Sequence, residues 1–152
     1  MKAFTAPKLA LATAIAATVG ATAPAMAQLE EVLVTAQKRV QSLQDVPASV
    51  SVVSGESIHD FVGSGENIRA LAGRVPSLQI ESSNGRQSPR FYIRGLGNTD
   101  FDVNANQPVS LIMDDVALEN SVLKSLPLFD ISRVEVLKGP QGTLFGRNTP
   151  AG

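Results

Sequence analysis

Two glycine-rich stretches are the first candidates for chemistry in this chain. Residues 139–146 have the glycine content of a phosphate-binding loop, but Arg147-Asn148 follow where that loop requires Lys and then Ser or Thr. Gly95-Leu96-Gly97 begins like a dinucleotide-binding turn, but Asp100 stands where a third glycine is needed for close helix packing. Neither stretch therefore predicts nucleotide binding.

The acidic residues and the single histidine do not form a catalytic pattern either. Asp114-Asp115 lie in a predicted strand, where neighbouring side chains face opposite sides, so a solvated turn is favoured over a cation site. His59 falls on a predicted surface helix without a serine and an acid to complete a triad. With no cysteine in the sequence, thiolate metal sites and disulfides are excluded. We expect neither an enzyme nor a cofactor site.

Charged residues inside predicted strands are the more informative candidates. Arg94, Glu135 and Lys138 each interrupt an apolar pattern. On a sheet with one wet face, such charges are simply solvated. If both faces are covered, each charge needs a partner, because an unpaired buried charge is strongly destabilising. The sequence leaves both interpretations open.

Composition limits the class of protein. The chain has 152 residues, 43% of them hydrophobic, and a net charge of −1, so it can build a core and has no basic surface for nucleic acid. Aromatic residues are few, with six Phe, one Tyr and no Trp. That supply is too small for the aromatic girdles of a membrane barrel.

Residues 1–27 have the pattern of a secretory signal peptide. Lys2 and Lys8 give a basic start, an apolar run follows, and Ala25-Met26-Ala27 offers small residues for cleavage before Gln28. The alternative is an uncleaved membrane anchor, but the apolar run is short for a bilayer of about 30 Å. The sequence therefore predicts export.

The segment Gln28–Arg39 predicts a short strand bounded by charged residues. Val32-Leu33-Val34-Thr35 is rich in β-forming residues. One interpretation is the first strand of the protein's own sheet. The other is a strand donated to the sheet edge of a partner. Composition alone favours the first.

The rest of the chain alternates short strands with a few helices. Val40–Pro47 is predicted as a linker. Two amphipathic helices are predicted after Ser54 and Ser64, each serine acting as N-cap. A further short helix is predicted within Leu118–Asp130. Strands are predicted at Ala48–Val53, Leu78–Glu81, Arg90–Gly95, Val109–Val116 and Arg133–Lys138, with Asn84-Gly85 in a hairpin turn. The expected fold class is α+β with a mixed sheet and short helices.

These motifs, in this order, resemble the N-terminal part of the TonB-dependent outer-membrane receptors. The segment EEVLVTAQKR is similar to a TonB box. The segments QDVPASVSVVSGESI, VPSLQI, FYIRGLG and LFDISRVEVLKGPQGTLFGRNTPAG are similar to successive blocks of the plug domain. The resemblance covers nearly everything from Glu30 to Gly152, and its last block is the most specific.

The resemblance implies a division of the chain and a set of partners. Residues 1–27 would be the signal peptide, 28–39 the TonB box segment and 40–152 a plug domain that is incomplete at its C-terminal end. A transmembrane barrel of about 22 strands, absent from this chain, is expected to follow. The implied partners are TonB with its inner-membrane energising complex, that barrel, the outer membrane and a small-molecule ligand. Ferric siderophores are the usual cargo, and the resemblance cannot name this one.

The resemblance also implies roles for individual residues. Arg94 and Lys138, with Glu135 nearby, would form the lock between plug and barrel wall. Lys138 stands where many members have arginine, and an ammonium cannot make the bidentate carboxylate pair. The residues implied to pair with TonB are Val32, Leu33, Val34, Thr35 and Ala36, and those implied to face the ligand are Asn84, Gly85, Arg86, Asn98, Asp100 and Asn104.

Three functions compete at this point. The first is an energy-coupled receptor of the Gram-negative outer membrane, of which this chain is the N-terminal part. The second is a free-standing periplasmic binding or signalling module that uses residues 32–36 to engage TonB. The third is a secreted hydrolase with a glycine-rich loop, which the missing catalytic residues disfavour.

Overall fold

The fold consists mainly of short strands that pair into two-stranded sheets. The computed structural model describes residues 31–63, 67–83, 85–100, 102, 104–125 and 127–152. The predicted signal peptide, the Ser64 cap and Asn84 lie outside the described residues. The elements are β1 (Leu33–Val34), β2 (Gln41–Ser42), β3 (Ser49–Ser54), α1 (Gly55–Val62), β4 (Leu78–Glu81), β5 (Arg90–Ile93), β6 (Ile112–Met113), β7 (Val116–Ala117), β8 (Arg133–Lys138) and α2 (Gly142–Phe145), with 3-10 turns at Leu43–Asp45, Ile68–Gly73 and Leu123–Ser125.

The longest strand pair joins distant parts of the sequence. β3 and β8 run antiparallel from Ser49 opposite Lys138 to Ser54 opposite Arg133. Alternation gives this ribbon two apolar faces. Val53, Val134 and Val136 face the main core, whereas Val50, Val52 and Leu137 face a second, smaller cluster. Both faces of the ribbon are therefore covered.

The helix α1 starts as the sequence predicts. The Ser54 side chain accepts a hydrogen bond from the Ser57 N–H at 3.4 Å, and Ile58 and Phe61 are buried. The second predicted helix is instead a 3-10 turn, Ile68–Gly73, in which the Asn67 side chain accepts the Arg69 N–H at 3.0 Å. A 3-10 turn repeats every three residues, which is the spacing of its two buried residues, Ile68 and Leu71.

β4 and β5 form a hairpin that packs against the main core. Leu78 and Ile80 on one strand, and Phe91 and Ile93 on the other, are buried. The strand boundaries predicted from alternation are confirmed to within two residues. The connection, residues 82–89, is longer than the tight turn expected at Asn84-Gly85.

The predicted strand Val109–Val116 is wrong, because the chain reverses inside it. β6 and β7 pair across Asp114 and Asp115, whose φ angles are 48° and 65°. Two consecutive positive φ values are the signature of a type I′ hairpin turn. Both aspartates are exposed, so the solvated turn favoured for them is confirmed.

The α+β class is confirmed, but the mixed sheet is not found among the described residues. The four strand pairs that the described residues form are antiparallel, and each forms a sheet of its own. Three of the pairs join neighbouring strands through short connections, whereas parallel strands need a crossover of a dozen or more residues. Within the described ranges, no helix is both long enough and apolar enough to cross a membrane.

Candidate functional site

The segment Val32–Ala36 docks on the outer face of the β3–β8 ribbon. Val34 is 0% exposed and Ala36 is 2% exposed, and both pack in a cluster with Val46. Leu43, Val50, Val52 and Leu137 complete that cluster. Alternation points Leu33 the other way, and that side chain is 48% exposed. The segment is thus half buried, with one side chain set against the ribbon and the next in solvent.

The residues predicted to be a linker support this docking. Within Val40–Pro47, β2 pairs with β1 in an antiparallel register that sets Leu33 opposite Ser42. The Leu43 N–H also donates to the Val32 carbonyl at 2.9 Å. The linker prediction is wrong because this stretch is needed to pair the first strand, and polar Gln41 and Ser42 give no apolar alternation by which to recognise it.

Glu135 fastens the docked segment to the ribbon. Its carboxylate accepts the Thr35 backbone N–H at 2.8 and 3.1 Å, and it also accepts the Thr35 hydroxyl at 3.1 Å. Arg133, two residues earlier on the same face of β8, donates Nε to that carboxylate at 2.6 Å. The Arg133 Nη2 reaches the Thr35 Oγ1 at 3.3 Å.

Burial makes this arrangement stronger than a surface ion pair. The Glu135 side chain is 11% exposed and that of Arg133 is 34% exposed. Hydrogen bonds to a carboxylate contribute about 1.5–3 kcal/mol, more than neutral ones, and screening by water is reduced here. Of the two open interpretations of strand charges, the covered face with internal partners describes Glu135. Its predicted role against a barrel wall stays a prediction.

Arg94 directly follows β5, and Lys138 is the last residue of β8. A Cβ built on Gly152 would lie 2.3 Å from the Leu137 carbonyl oxygen and 2.6 Å from the Ile93 Cδ1, so both residues approach Gly152. Arg94 and Lys138 follow these two residues directly. Arg94 is exposed, and neither cation has an ion-pair partner among the residues that the structure describes. Both are therefore available to an external carboxylate.

The hairpin loop holds a cavity of about 370 Å³ at the opposite end of β4 and β5. Arg86, predicted to face a ligand, lines it together with Asn67 and Arg69. The Arg69 Nη1 donates to the Gly85 carbonyl at 3.2 Å, which ties the loop to the preceding 3-10 turn. Arg69 was missed from sequence because its importance depends on the hairpin folding back over it.

The residues predicted to face the ligand at 98–104 lie in a loop that is held by hydrogen bonds from its own side chains. The Asp100 N–H donates to the Asn98 Oδ1 at 2.9 Å, and the Asn104 N–H donates to the Asp102 Oδ1 at 2.8 Å. The Asn98 Nδ2 reaches the Asn106 carbonyl at 2.8 Å. Such side-chain-to-backbone turns fix a loop without secondary structure. In the described part of the chain, no cluster of acidic or histidine side chains is arranged to hold a metal ion, and His59 is exposed on α1.

The chain matches known proteins over most of its length. The TonB-dependent Receptor Plug Domain profile matches residues 42–152. The vitamin B12 transporter BtuB of Vibrio vulnificus (strain CMCP6) is 33% identical over 128 residues, covering 81% of this chain and 20% of that protein. The rhizobactin receptor of Rhizobium meliloti (strain 1021) is 25% identical over 134 residues, covering 84% of this chain and 16% of that receptor.

A solved structure shares the fold. The ferric yersiniabactin uptake receptor FyuA from Yersinia pestis superposes with a TM-score of 0.59 and 30% identity, over 69% of this chain and 16% of that chain. This chain therefore spans a fifth or less of the length of these relatives. Because the plug profile covers more than half of it, the chain belongs to the TonB-dependent receptors, a family of receptors and transporters rather than enzymes, and it carries their plug domain.

Proposed function

We propose that this chain is the N-terminal part of a receptor in the outer membrane of a Gram-negative bacterium that takes up a scarce ligand with energy supplied through TonB. In this proposal the plug gates a surrounding barrel, and Val32–Ala36 is the segment that pairs with TonB. The position of this segment supports the proposal, because it comes just before the stretch, residues 42–152, that matches the plug profile.

The observation that carries the proposal is the small free energy of the docking contact, which allows the contact to form and break. Burying Val34 and Ala36 contributes about 2–4 kcal/mol. The charge-assisted hydrogen bonds of Glu135 add about 1.5–3 kcal/mol. Four or five strand hydrogen bonds to a partner, at about 0.5–1.5 kcal/mol each, are of similar size. The segment can thus exchange between the plug and a partner strand, as an energy coupler requires.

For the ligand we propose a ferric siderophore. One relative supports a ferric ligand by name, the ferric yersiniabactin uptake receptor, and the other two are named as a rhizobactin receptor and a vitamin B12 transporter. Arg69 and Arg86 at the hairpin cavity suit the carboxylate or catecholate oxygens of such a ligand, because guanidinium groups pair well with anionic oxygen. Arg94 and Lys138 would pair with barrel carboxylates at the other end.

Disulfide trapping tests the coupling segment. Leu33→Cys places a thiol on the solvent side of β1 without disturbing the buried Val34. In cells that express the complete protein as its gene encodes it, this variant should crosslink to a cysteine-substituted TonB. The matched control is Leu96→Cys, another exposed leucine outside the segment. Absence of a Leu33-specific crosslink would remove the proposed role of residues 32–36.

Growth under iron chelation tests the ligand class. A strain without this gene should lose growth on one added ferric siderophore, and the restored gene should rescue growth only when TonB is present. Rescue that depends on vitamin B12 and not on iron would replace the siderophore with the cobalamin class. An Arg69→Gln and Arg86→Gln pair should lower ligand affinity, with Arg74→Gln, outside the cavity, as the control.

A further inference from the structure

Within the part of the chain that the structure describes, the strand β1 has one paired edge and one open edge. Leu33 lies opposite Ser42, and the Val32 carbonyl accepts the Leu43 N–H. Backbone groups of alternate residues point to the same side of a strand. Val32 and Val34 therefore direct their N–H and C=O groups to β2, whereas Leu33 and Thr35 direct theirs to the open edge. An open edge is where a partner strand adds.

On that open edge, the backbone of Thr35 is already occupied. Its N–H donates to the Glu135 carboxylate at 2.8 Å, and its carbonyl accepts the Lys38 N–H at 2.8 Å. Counting only partners among the described residues, the backbone groups of Leu33 are the remaining pair on this side of β1 without a hydrogen bond. Strand addition uses several consecutive main-chain hydrogen bonds. The Glu135 carboxylate thus takes the place that a carbonyl of an added strand would fill.

The ribbon holds that carboxylate in place. Glu135 and Arg133 lie on the same outer face of β8, and the guanidinium orients the carboxylate from 2.6 Å. The carboxylate is mostly shielded, and the packed contacts of Val34 and Ala36 keep Thr35 in register above it. A preorganised acceptor competes better with a partner strand than water does, because its orientation is fixed before the contact forms.

We propose that Glu135 is a positioning residue that closes the open edge of β1, with Arg133 as its support. Strand pairing between this segment and a partner that presents an extended main chain then requires displacement of the Glu135 carboxylate from the Thr35 N–H. The inference rests on the proposed function, in which residues 32–36 pair with TonB. It adds which residue of the plug controls that pairing.

Binding of a soluble TonB C-terminal domain to the complete purified protein tests this inference. Glu135→Gln keeps the shape but removes the charge, and its amide offers one neutral acceptor oxygen to the donors of Thr35 and Arg133 where the carboxylate offers two. We expect a Kd about 10-fold to 100-fold lower than in the wild type, the range given by loss of charge-assisted hydrogen bonds. Arg133→Gln should act in the same direction with a smaller change. Glu81→Gln, which alters a carboxylate that is 60% exposed on β4, should leave the Kd unchanged.

Hydrogen exchange separates this role from a purely structural one. In Glu135→Gln the Thr35 amide should exchange faster while the Val136 amide inside the ribbon keeps its wild-type rate. Faster exchange at both amides, with equal or weaker TonB binding, would mean that Glu135 only stabilises the plug and would overturn the inference. If Glu135→Gln does not fold, the same comparison with Arg133→Gln decides.

The outcomes distinguish the inference from the function on which it rests. If the wild type binds TonB and Glu135→Gln binds it with the same Kd, the proposed role of Glu135 is overturned. The proposed role of residues 32–36 as the coupling segment is then unaffected. No binding by the wild type, together with no crosslink from Leu33→Cys, overturns the coupling function itself.

Discussion

Lys124 carries a buried amine, and replacing it with an apolar side chain should stabilise the plug. Its side chain is 1% exposed, and Nζ has no hydrogen-bond partner among the described residues. Burial lowers the pKa of Lys124 below 10.5, the nearby Glu119 carboxylate opposes that change, and the Arg147 guanidinium adds to it. The perturbation we choose is Lys124→Met, which keeps the length of the stem and removes the charge.

The change in the free energy of unfolding depends on whether the Glu119 carboxylate keeps partners after Lys124 is replaced. Removing one member of a buried pair destabilises by about 3–5 kcal/mol when its partner becomes an uncompensated charge. Here the Glu119 carboxylate pairs with Arg147 and accepts the Ser110 hydroxyl, so it keeps partners without Lys124. Replacing a buried ion pair by well-packed apolar residues of similar volume is often neutral or stabilising by about 1–4 kcal/mol, and replacing the Lys124 amine removes the same kind of desolvation cost. We therefore expect a gain of about 2 kcal/mol.

The dependence on pH has a definite sign. Because the folded-state pKa of Lys124 lies below its unfolded value, the unfolded chain binds more protons between the two values. Wild-type stability should thus rise with pH from the folded pKa up to 10.5, and the full destabilisation is present below that window. Lys124→Met should lack this rise, so the difference between the two proteins narrows as pH increases.

Hydrogen exchange of the ribbon amides measures this effect in the complete protein. At neutral pH the slowest amides of β3 and β8 should exchange about 30-fold more slowly in Lys124→Met, the equivalent of about 2 kcal/mol. The matched control is Lys38→Met, which removes an exposed lysine over the Phe145 ring and should change stability by less than about 1 kcal/mol. A Lys124→Met protein that is less stable than wild type would refute the reasoning, since it would show that the amine is well paired.

Three further substitutions test the packing and the turns. Gly55→Ala should destabilise the protein by about 1–3 kcal/mol in urea unfolding, because the new Cβ would lie 2.7 Å from the Ile131 and Ser132 carbonyl oxygens. The control is Gly73→Ala, whose new Cβ would contact no described atom within 4 Å, and it should be neutral or stabilising in the same assay. Asp115→Gly should stabilise by about 0.5–1 kcal/mol in the same assay, because φ is 65° there and glycine adopts this region freely; a loss of stability would contradict the type I′ turn. Gly97→Ala should displace the Tyr92 ring, because the ring Cδ1 would lie 1.9 Å from the new Cβ. The Tyr92 hydroxyl donates to the Asn98 carbonyl, so amide hydrogen exchange in that loop should become faster, and Tyr92→Phe should have a smaller effect. Unchanged amide exchange in both variants would show that the Tyr92 ring does not hold the loop.

Local patterns in the sequence determined much of the fold. The strands β3, β4, β5 and β8 follow from alternation between apolar and polar residues, because a side-chain period of two needs only neighbouring positions to be recognised. The start of α1 at Ser54 follows from capping chemistry, which is equally local. The family was also available from sequence, since its motifs are contiguous blocks of residues.

Other elements depended on contacts that the sequence does not display. β1 is found by its composition, but β2 has two polar residues and forms a strand only because β1 pairs with it. The reversal at Asp114 and Asp115 required two residues in the left-handed region, where non-glycine residues are uncommon. The second helix changed type because its two buried residues fit a period of three against the core.

At the candidate site, the sequence by itself supplied the residues, and the tertiary structure decided their partners. Arg94, Glu135 and Lys138 stand out as charges within predicted strands, although β5 ends one residue before Arg94. Only the pairing of β3 with β8 shows that both faces of the ribbon are covered, which sets Glu135 against Thr35, 100 positions away in the chain. The physical reason is that a strand's pattern records which residues alternate, while the partner across each face is fixed by long-range packing.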